Sequence, residues 1–178
     1  MKKIFSIILF SILCIFYTLA QTPDANEDQN SITFGHVALA VKDLDKAILW
    51  YQNVLGFQLT KKPVEIDTDT SPLGEIAKTL FGSDIKKLRI AQMTMRNQVG
   101  LELFEFVLPR SEDTDNDDFR KSGFLHICVI STDIDELVKK LEENGGKVKV
   151  EYSYPNSRQK VVFCEDPDGN IIEIKQEK

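Results

Sequence analysis

Histidine is almost missing from this chain. There are two in 178 residues, His36 and His126, so any imidazole chemistry rests on those two. Basic residues are outnumbered, 22 Lys and Arg against 28 Asp and Glu, and the formal net charge is −6. No basic patch stands out along the sequence. Phosphate binding needs clustered cations, which argues against nucleic acid as a partner. Cysteine is also scarce, with three in all. Cys14 follows Leu13, where a lipoprotein site would carry a small residue. Cys128 and Cys164 lie in apolar strand-like runs, where a free cysteine behaves as a small hydrophobe. An exported protein can pair them, but they are read here as unpaired. EF-hand spacing is absent too, so the acidic stretch "PRSEDTDNDDFRK" at 109–121 reads as a solvated linker and not as a calcium loop.

What is present fits one globular domain with a real core: 42% of residues are hydrophobic and 28% charged. The N-terminus differs in kind. Lys2 and Lys3 precede the apolar run "IFSIILFSILCIFYTLA", with Thr18 and Ala20 placed as at a cleavage site. Residues 1–20 read as a secretory signal peptide. The alternative is an uncleaved membrane anchor, since the run is nearly long enough to span. Polar, acidic residues 21–33 read as a flexible leader. Cleavage removes two lysines and no acid, leaving 20 basic residues against 28 acidic ones, a net charge of −8. The expected product is exported, periplasmic or secreted, with no stable membrane association after cleavage.

The rest of the chain repeats itself. Adding 90 to a position in "FGHVALAVKDLDKA" lands on its copy: Phe34 on Phe124, His36 on His126, Asp43 on Asp133, Asp45 on Asp135, Gly56 on Gly146. The only two histidines share one place in the repeat. In the first copy, 34–41 alternates as a strand. "DLDKAILWYQNVLG" follows as a helix, with Asp43 as N-cap, Leu44, Ala47, Ile48 and Tyr51 on one face, and Gly56 as the stop. In the second copy "FLHICVIS" is the strand, Asp133 and Glu136 form a capping box, Ile134, Leu137, Val138 and Leu141 make the stripe, and Gly145-Gly146 ends the helix. Three strands follow each helix: 57–65, 88–95 and 99–107, then 147–152, 159–165 and 170–175. A partly helical insertion, "SPLGEIAKTLFGSD", separates the first two of copy one, and the turn "DPDGN" joins the last two of copy two. The expected class is α+β, with two βαβββ modules in tandem within one domain at 34–176: module one at 34–108, the linker at 109–121 and module two at 122–176.

Alternation sorts side chains onto two faces. Val37, Leu39 and Val41 pack under the first helix while His36, Ala38 and Ala40 face away; Ile127 and Val129 pack while His126, Cys128 and Ile130 face away. The final strands place a carboxylate amid apolar residues in each copy, Glu102 in "GLELFEF" and Glu173 in "NIIEIK". A buried, unpaired carboxylate is costly. Two histidines and two glutamates sharing a cation would remove that cost; the plainer alternative leaves the glutamates facing solvent on one-sided sheets. Phe104 and Phe106 share the Glu102 face, and Met93 and Met95 lie on a nearby strand; they line a substrate pocket or belong to ordinary core.

"HVALAVKDLDKAILWYQNVLGF" and "FCEDPDGNIIEI" resemble signatures of the vicinal oxygen chelate superfamily, which includes glyoxalase I, methylmalonyl-CoA epimerase, extradiol dioxygenases, and fosfomycin and bleomycin resistance proteins. The resemblance covers 34–176 and implies that family's half-barrel of two modules. Its metal positions fall on His36, Glu102, His126 and Glu173. All four are ligand types, as in the glyoxalase and epimerase branches. The resemblance also shows departures. Two positions that hold glutathione in glyoxalase I are Ala40 and Phe106 here, and Leu125 stands where the epimerase branch has a second histidine.

Such a site would hold one divalent ion, with zinc, nickel, cobalt, manganese and iron all open. The implied function is lyase or isomerase chemistry by proton transfer on a small oxygenated metabolite, with Glu173 or Glu102 as the proton-moving group and Glu173 favoured by the resemblance. A metal-free ligand-binding protein and an extradiol-type dioxygenase stay open. The modules can pair within one chain or swap between two, which leaves a homodimer open.

Overall fold

A computed structural model describes residues 34–110, 122–155 and 159–176. The signal peptide expected at 1–20, the leader at 21–33 and linker residues 111–121 lie outside the described residues.

Module one opens with β1 (His36–Ala40). Asp43 then takes an extended conformation and its carboxylate accepts from Lys46 N at 3.1 Å, which caps α1 (Leu44–Asn53). Gly56, at φ 79°, lets the chain leave that helix. The single strand expected at 57–65 is two short ones, β2 (Gln58–Leu59) and β3 (Val64–Asp67). Pro63 lies at the break, where it has no N–H to give a ladder. The insertion carries α2 (Gly74–Phe81), and β4 (Lys87–Thr94) and β5 (Gly100–Leu108) complete the module.

Module two repeats the order: β6 (Ile127–Ser131), α3 (Ile134–Glu143), β7 (Lys147–Ser153), β8 (Lys160–Glu165) and β9 (Ile171–Gln176). Asp133 caps α3 by accepting from Glu136 N at 3.0 Å. The return arm of the expected capping box is replaced: Asp133 N donates to Ser131 Oγ instead, at 3.1 Å. His126 stands just before β6 and not within it, because pairing starts at Ile127 opposite Ile172.

The sheets run β1-β5-β4-β2, with β3 also on β4, and β6-β9-β8-β7. The first strand of each module is parallel to its last, β1 to β5 and β6 to β9, and the other pairings are antiparallel. This is the expected α+β pair of modules.

One buried cluster joins both. Leu39 and Val41, Leu44, Ile48 and Tyr51 of α1, and Met93, Leu101 and Leu103 meet Ile134 and Leu141 of α3 and Val162, Cys164, Ile172 and Ile174. Each such side chain contributes roughly 1.5–3 kcal/mol by burial. A polar contact adds to it: the Tyr51 hydroxyl, buried in module one, donates to Asp166 Oδ2 at 2.8 Å in the DPDGN turn of module two. A second, smaller core lies on the other face of sheet one. There Ile66, Ala77 of α2, Ile85 and Leu88 pack with Phe104 and Phe106.

Candidate functional site

Along β5 the alternation sends Leu101 and Leu103 into the shared core and turns Glu102 to the opposite face. Glu102 sits in register between Ala38 of β1 and Gln92 of β4. Gln92 Nε2 donates to its Oε1 at 2.9 Å. Its other oxygen, Oε2, lies 3.3 Å from His36 Nε2. His36 itself stands opposite Gly100. A Cβ at position 100 would fall 2.8 Å from His36 Cβ and 2.7 Å from Gly35 O, so a glycine is needed there for His36 to keep its place.

Module two builds the same pair on different supports. Glu173 lies between Cys128 of β6 and Phe163 of β8. Glu173 Oε2 is 3.2 Å from His126 Nε2, and Oε1 is 3.6 Å from Lys175 Nζ. The His126 ring stands edge-on to Phe163, with centroids 5.5 Å apart. Burial, and then the Glu173 carboxylate, push the Cys128 thiol up to about 11. The His126 side chain is 30% exposed against 52% for His36, while the two glutamates are similar at 12% and 14%, so the second pair is the more enclosed.

The four residues expected to share an ion are thus brought together as two pairs, His36 with Glu102 and His126 with Glu173. Among the described residues no group of three or more His, Cys, Asp or Glu converges to hold a metal. Each pair nonetheless suits a divalent ion. Imidazole nitrogen and carboxylate oxygen are accepted together by zinc and its first-row neighbours. Bonds of about 2.1 Å put neighbouring ligand atoms about 3 Å apart, close to the 3.3 and 3.2 Å separations of the two pairs.

The apolar residues expected near the site divide. Met93 belongs to the shared core on the face away from Glu102, since it pairs with Leu101 and is 2% exposed. Met95 lines a cavity of about 290 Å³ that His126 also borders. Phe104 and Phe106 do share the Glu102 face, but α2 covers them: the Phe81 ring meets theirs edge-on, with centroids 5.4 and 5.2 Å away. Cys128 and Cys164 are both free thiols. Sequence reading missed Gln92, Phe163 and Lys175. A second offset would have found them: 71 separates Glu102 from Glu173, and the same step carries Gln92 to Phe163 and Phe104 to Lys175.

Two βαβββ modules, each with a His–Glu pair on the sheet face away from its helix, define a class of two-module α+β protein. The family model for the Glyoxalase/Bleomycin resistance protein/Dioxygenase superfamily matches residues 33–174, and the chain belongs to that superfamily. A probable lactoylglutathione lyase of Synechocystis sp. is 28% identical over 142 residues, which is 79% of this chain and 92% of that protein. A lactoylglutathione lyase of Pseudomonas aeruginosa is 28% identical over 164 residues, 89% of each. Among solved structures, a glyoxalase family protein of Bacillus cereus superposes with a TM-score of 0.70 at 24% identity, covering 86% of this chain and 99% of that one, a likeness of fold.

Proposed function

We propose that this chain is an exported, metal-dependent lyase or isomerase of the glyoxalase/epimerase kind, acting on a small oxygenated metabolite by proton transfer. The observation that carries the reading is the duplicated His–Glu pair. His36, Glu102, His126 and Glu173 would hold one divalent ion. Because the two pairs do not converge within the described chain, the full set is assembled from module one of one copy and module two of a second. A divalent ion bound there supplies Lewis acidity toward a substrate oxygen that gains negative charge.

The two carboxylates divide the remaining work. Glu102 is held from both sides, by Gln92 on Oε1 and His36 on Oε2. Glu173 is held more weakly: besides His126 it has the Cys128 thiol, a weak donor, on its carboxylate and the Lys175 ammonium 3.6 Å from Oε1. Glu173 is therefore the base. It takes the proton from the carbon beside the chelating oxygens and returns it to the neighbouring carbon, at a positioned carboxylate oxygen. The lactoylglutathione lyases among the relatives suggest glutathione thiohemiacetals as one substrate class. Ala40 and Phe106 argue against it here, since one offers no polar group and the other is packed under α2.

The test is metal analysis of wild type, His36→Ala and His126→Ala, followed by co-refolding of the two variants. Wild type should hold one ion per chain and each variant little. The mixed dimer should regain one ion per two chains, because one of its two shared sites is intact. Equal metal in wild type and His126→Ala would overturn the ligand assignment; no recovery on mixing would overturn the shared site. Export is checked by N-terminal sequencing of the native protein, which should begin near Gln21. Met1 retained on a membrane-bound product would overturn it.

A further inference from the structure

The two sheets carry the same His–Glu pair, yet only module two leaves the face beside it open. One alternation along β9 from Glu173 is Lys175, about 7 Å further on along a strand. In register it lies between Ile130 of β6 and Val161 of β8. An ammonium is thus set between two aliphatic side chains. Its carboxylate neighbour, Glu173, is 3.6 Å off, and the lysine side chain is 53% exposed. A lysine kept for a structural ion pair would close that gap.

Lys175 also lines a cavity of about 410 Å³, with Ile130 and Val161 as apolar walls and Tyr154 at the rim. The other lysine of that cavity, Lys160, is already bound to Asp135 and Glu151. Gln176 Nε2 is spent on Thr132 O at 3.0 Å. Lys175 is the cation there with capacity for a ligand. In module one the matching position is Phe104, which is packed against Phe81 of α2. Room and positive charge therefore occur together on one side only. The chain as a whole carries −6, so a negative ligand gains nothing from the global field and depends on a local cation.

We infer that Lys175 binds a carboxylate of the substrate, and that the substrate is a short oxygenated acid whose carboxylate lies close to the reacting end, since Lys175 Nζ stands 3.6 Å from Glu173 Oε1. This rests on the reading of His126 and Glu173 as part of the reactive site. Ile130 and Val161 flank the ammonium and favour an aliphatic carbon next to the bound carboxylate.

A pair of probes separates the two claims: 2-hydroxyglutarate, which offers vicinal oxygens and a second carboxylate, and its 5-methyl ester, which lacks that second charge. Both are titrated calorimetrically against metal-loaded and metal-stripped protein. The acid should bind about tenfold more tightly than the ester, as for a charge-assisted hydrogen bond. Lys175→Met should abolish that ratio, and Lys175→Arg should restore it. An ester that binds as well as the acid, a tenfold ratio that survives in Lys175→Met, or no binding of the acid at 10 mM (about the weakest affinity the method resolves) would each overturn the inference. The effect of stripping the metal bears on the His–Glu reading instead. Loss of the acid-to-ester ratio with metal dependence intact sinks Lys175 alone, while an intact ratio with no metal dependence sinks the metal centre alone.

Discussion

The two modules are one design carried out twice with different surroundings. Module one seats His36 over Gly100, fixes Glu102 with Gln92, and roofs the rest of that face with α2 through Phe81, Phe104 and Phe106. Module two has Ile171 in place of Gly100, Phe163 in place of Gln92, Cys128 in place of Ala38, and Lys175 in place of Phe104. The pair itself is kept to within 0.1 Å, 3.3 against 3.2 Å. What differs is the strength of the second support: an amide on Glu102, and a thiol with a lysine at 3.6 Å on Glu173. The first half-site is braced, with its face beyond Glu102 roofed by α2 and His36 left exposed; the second is the more enclosed, and its His126 borders a cavity. An even division of labour would not need that asymmetry. It suits a rigid ligand pair in module one and a carboxylate with freedom to move a proton in module two.

The largest effect expected from this contrast is on turnover. Glu173→Gln should lower the rate of the proton-transfer step by about 10²–10⁴-fold, the worth of a positioned acid or base. Glu102→Gln, on the braced side, should weaken metal binding but cost less once metal is restored in excess. Solvent deuterium incorporation at the carbon that receives the proton reads the step directly. Equal losses in the two variants would remove the functional difference between the modules.

The next contrast is in the shared core. The repeat puts Tyr51 of α1 and Leu141 of α3 at the same place, and both are buried. Leu141 contributes by packing, so Leu141→Ala should cost about 2–5 kcal/mol. Tyr51 also donates to Asp166, whose oxygens further accept from Asp168 N, Asn170 N and Asn170 Nδ2. Tyr51→Phe removes one of four bonds to a buried carboxylate and should cost about 1–2 kcal/mol. Urea unfolding measures both. A Tyr51→Phe loss exceeding that of Leu141→Ala would mean the modules are held together chiefly by the polar contact.

A subtler comparison concerns Gly100 and its counterpart Ile171. Gly100→Ala places a methyl group against His36 Cβ and Gly35 O. The backbone there must shift, and His36 with it. Displaced supports of metal ligands typically lower affinity by about 10–100-fold. Ile171→Ala should leave His126 in place and the metal bound, at a packing cost alone. Metal titration followed by melting separates the two outcomes, and unchanged affinity in Gly100→Ala would show that His36 adjusts freely.

Much of this was legible in the sequence because it is periodic. The 90-residue repeat set the two histidines in matching places, and period-two alternation put both glutamates on the faces away from the core. What one strand's alternation does not carry is the identity of its neighbours. Gln92 beside Glu102 and Phe163 beside Glu173 depend on antiparallel register, which is set by the lengths of the turns between strands. The cover over Phe104 and Phe106 depends on where an insertion folds back. The Tyr51–Asp166 contact spans 115 residues and two modules, and no local pattern announces it. Pro63, between β2 and β3, is a breaker that an otherwise strand-like run conceals.

The smallest effect expected lies at the cysteines, and it sharpens the contrast between core and site faces of module two. Cys164 occupies the place of Met93 in the repeat, and both are core residues. Cys128 occupies the place of Ala38 and is exposed. Burial, and then Glu142, push the Cys164 thiol up to about 11. An unfolded chain loses that proton near pH 8.5, about the value of a free thiol. The native state therefore holds the proton more tightly, and the stability this gives is complete below about pH 8.5 and lost as pH rises through about 11. Stability should fall across that window in wild type and fall less steeply in Cys164→Ala. At pH 8, iodoacetamide should label Cys128 slowly in the native protein and reach Cys164 only on unfolding. Rapid labelling of Cys164 in the native state would show that module two opens locally, and that its core is less firmly closed than that of module one.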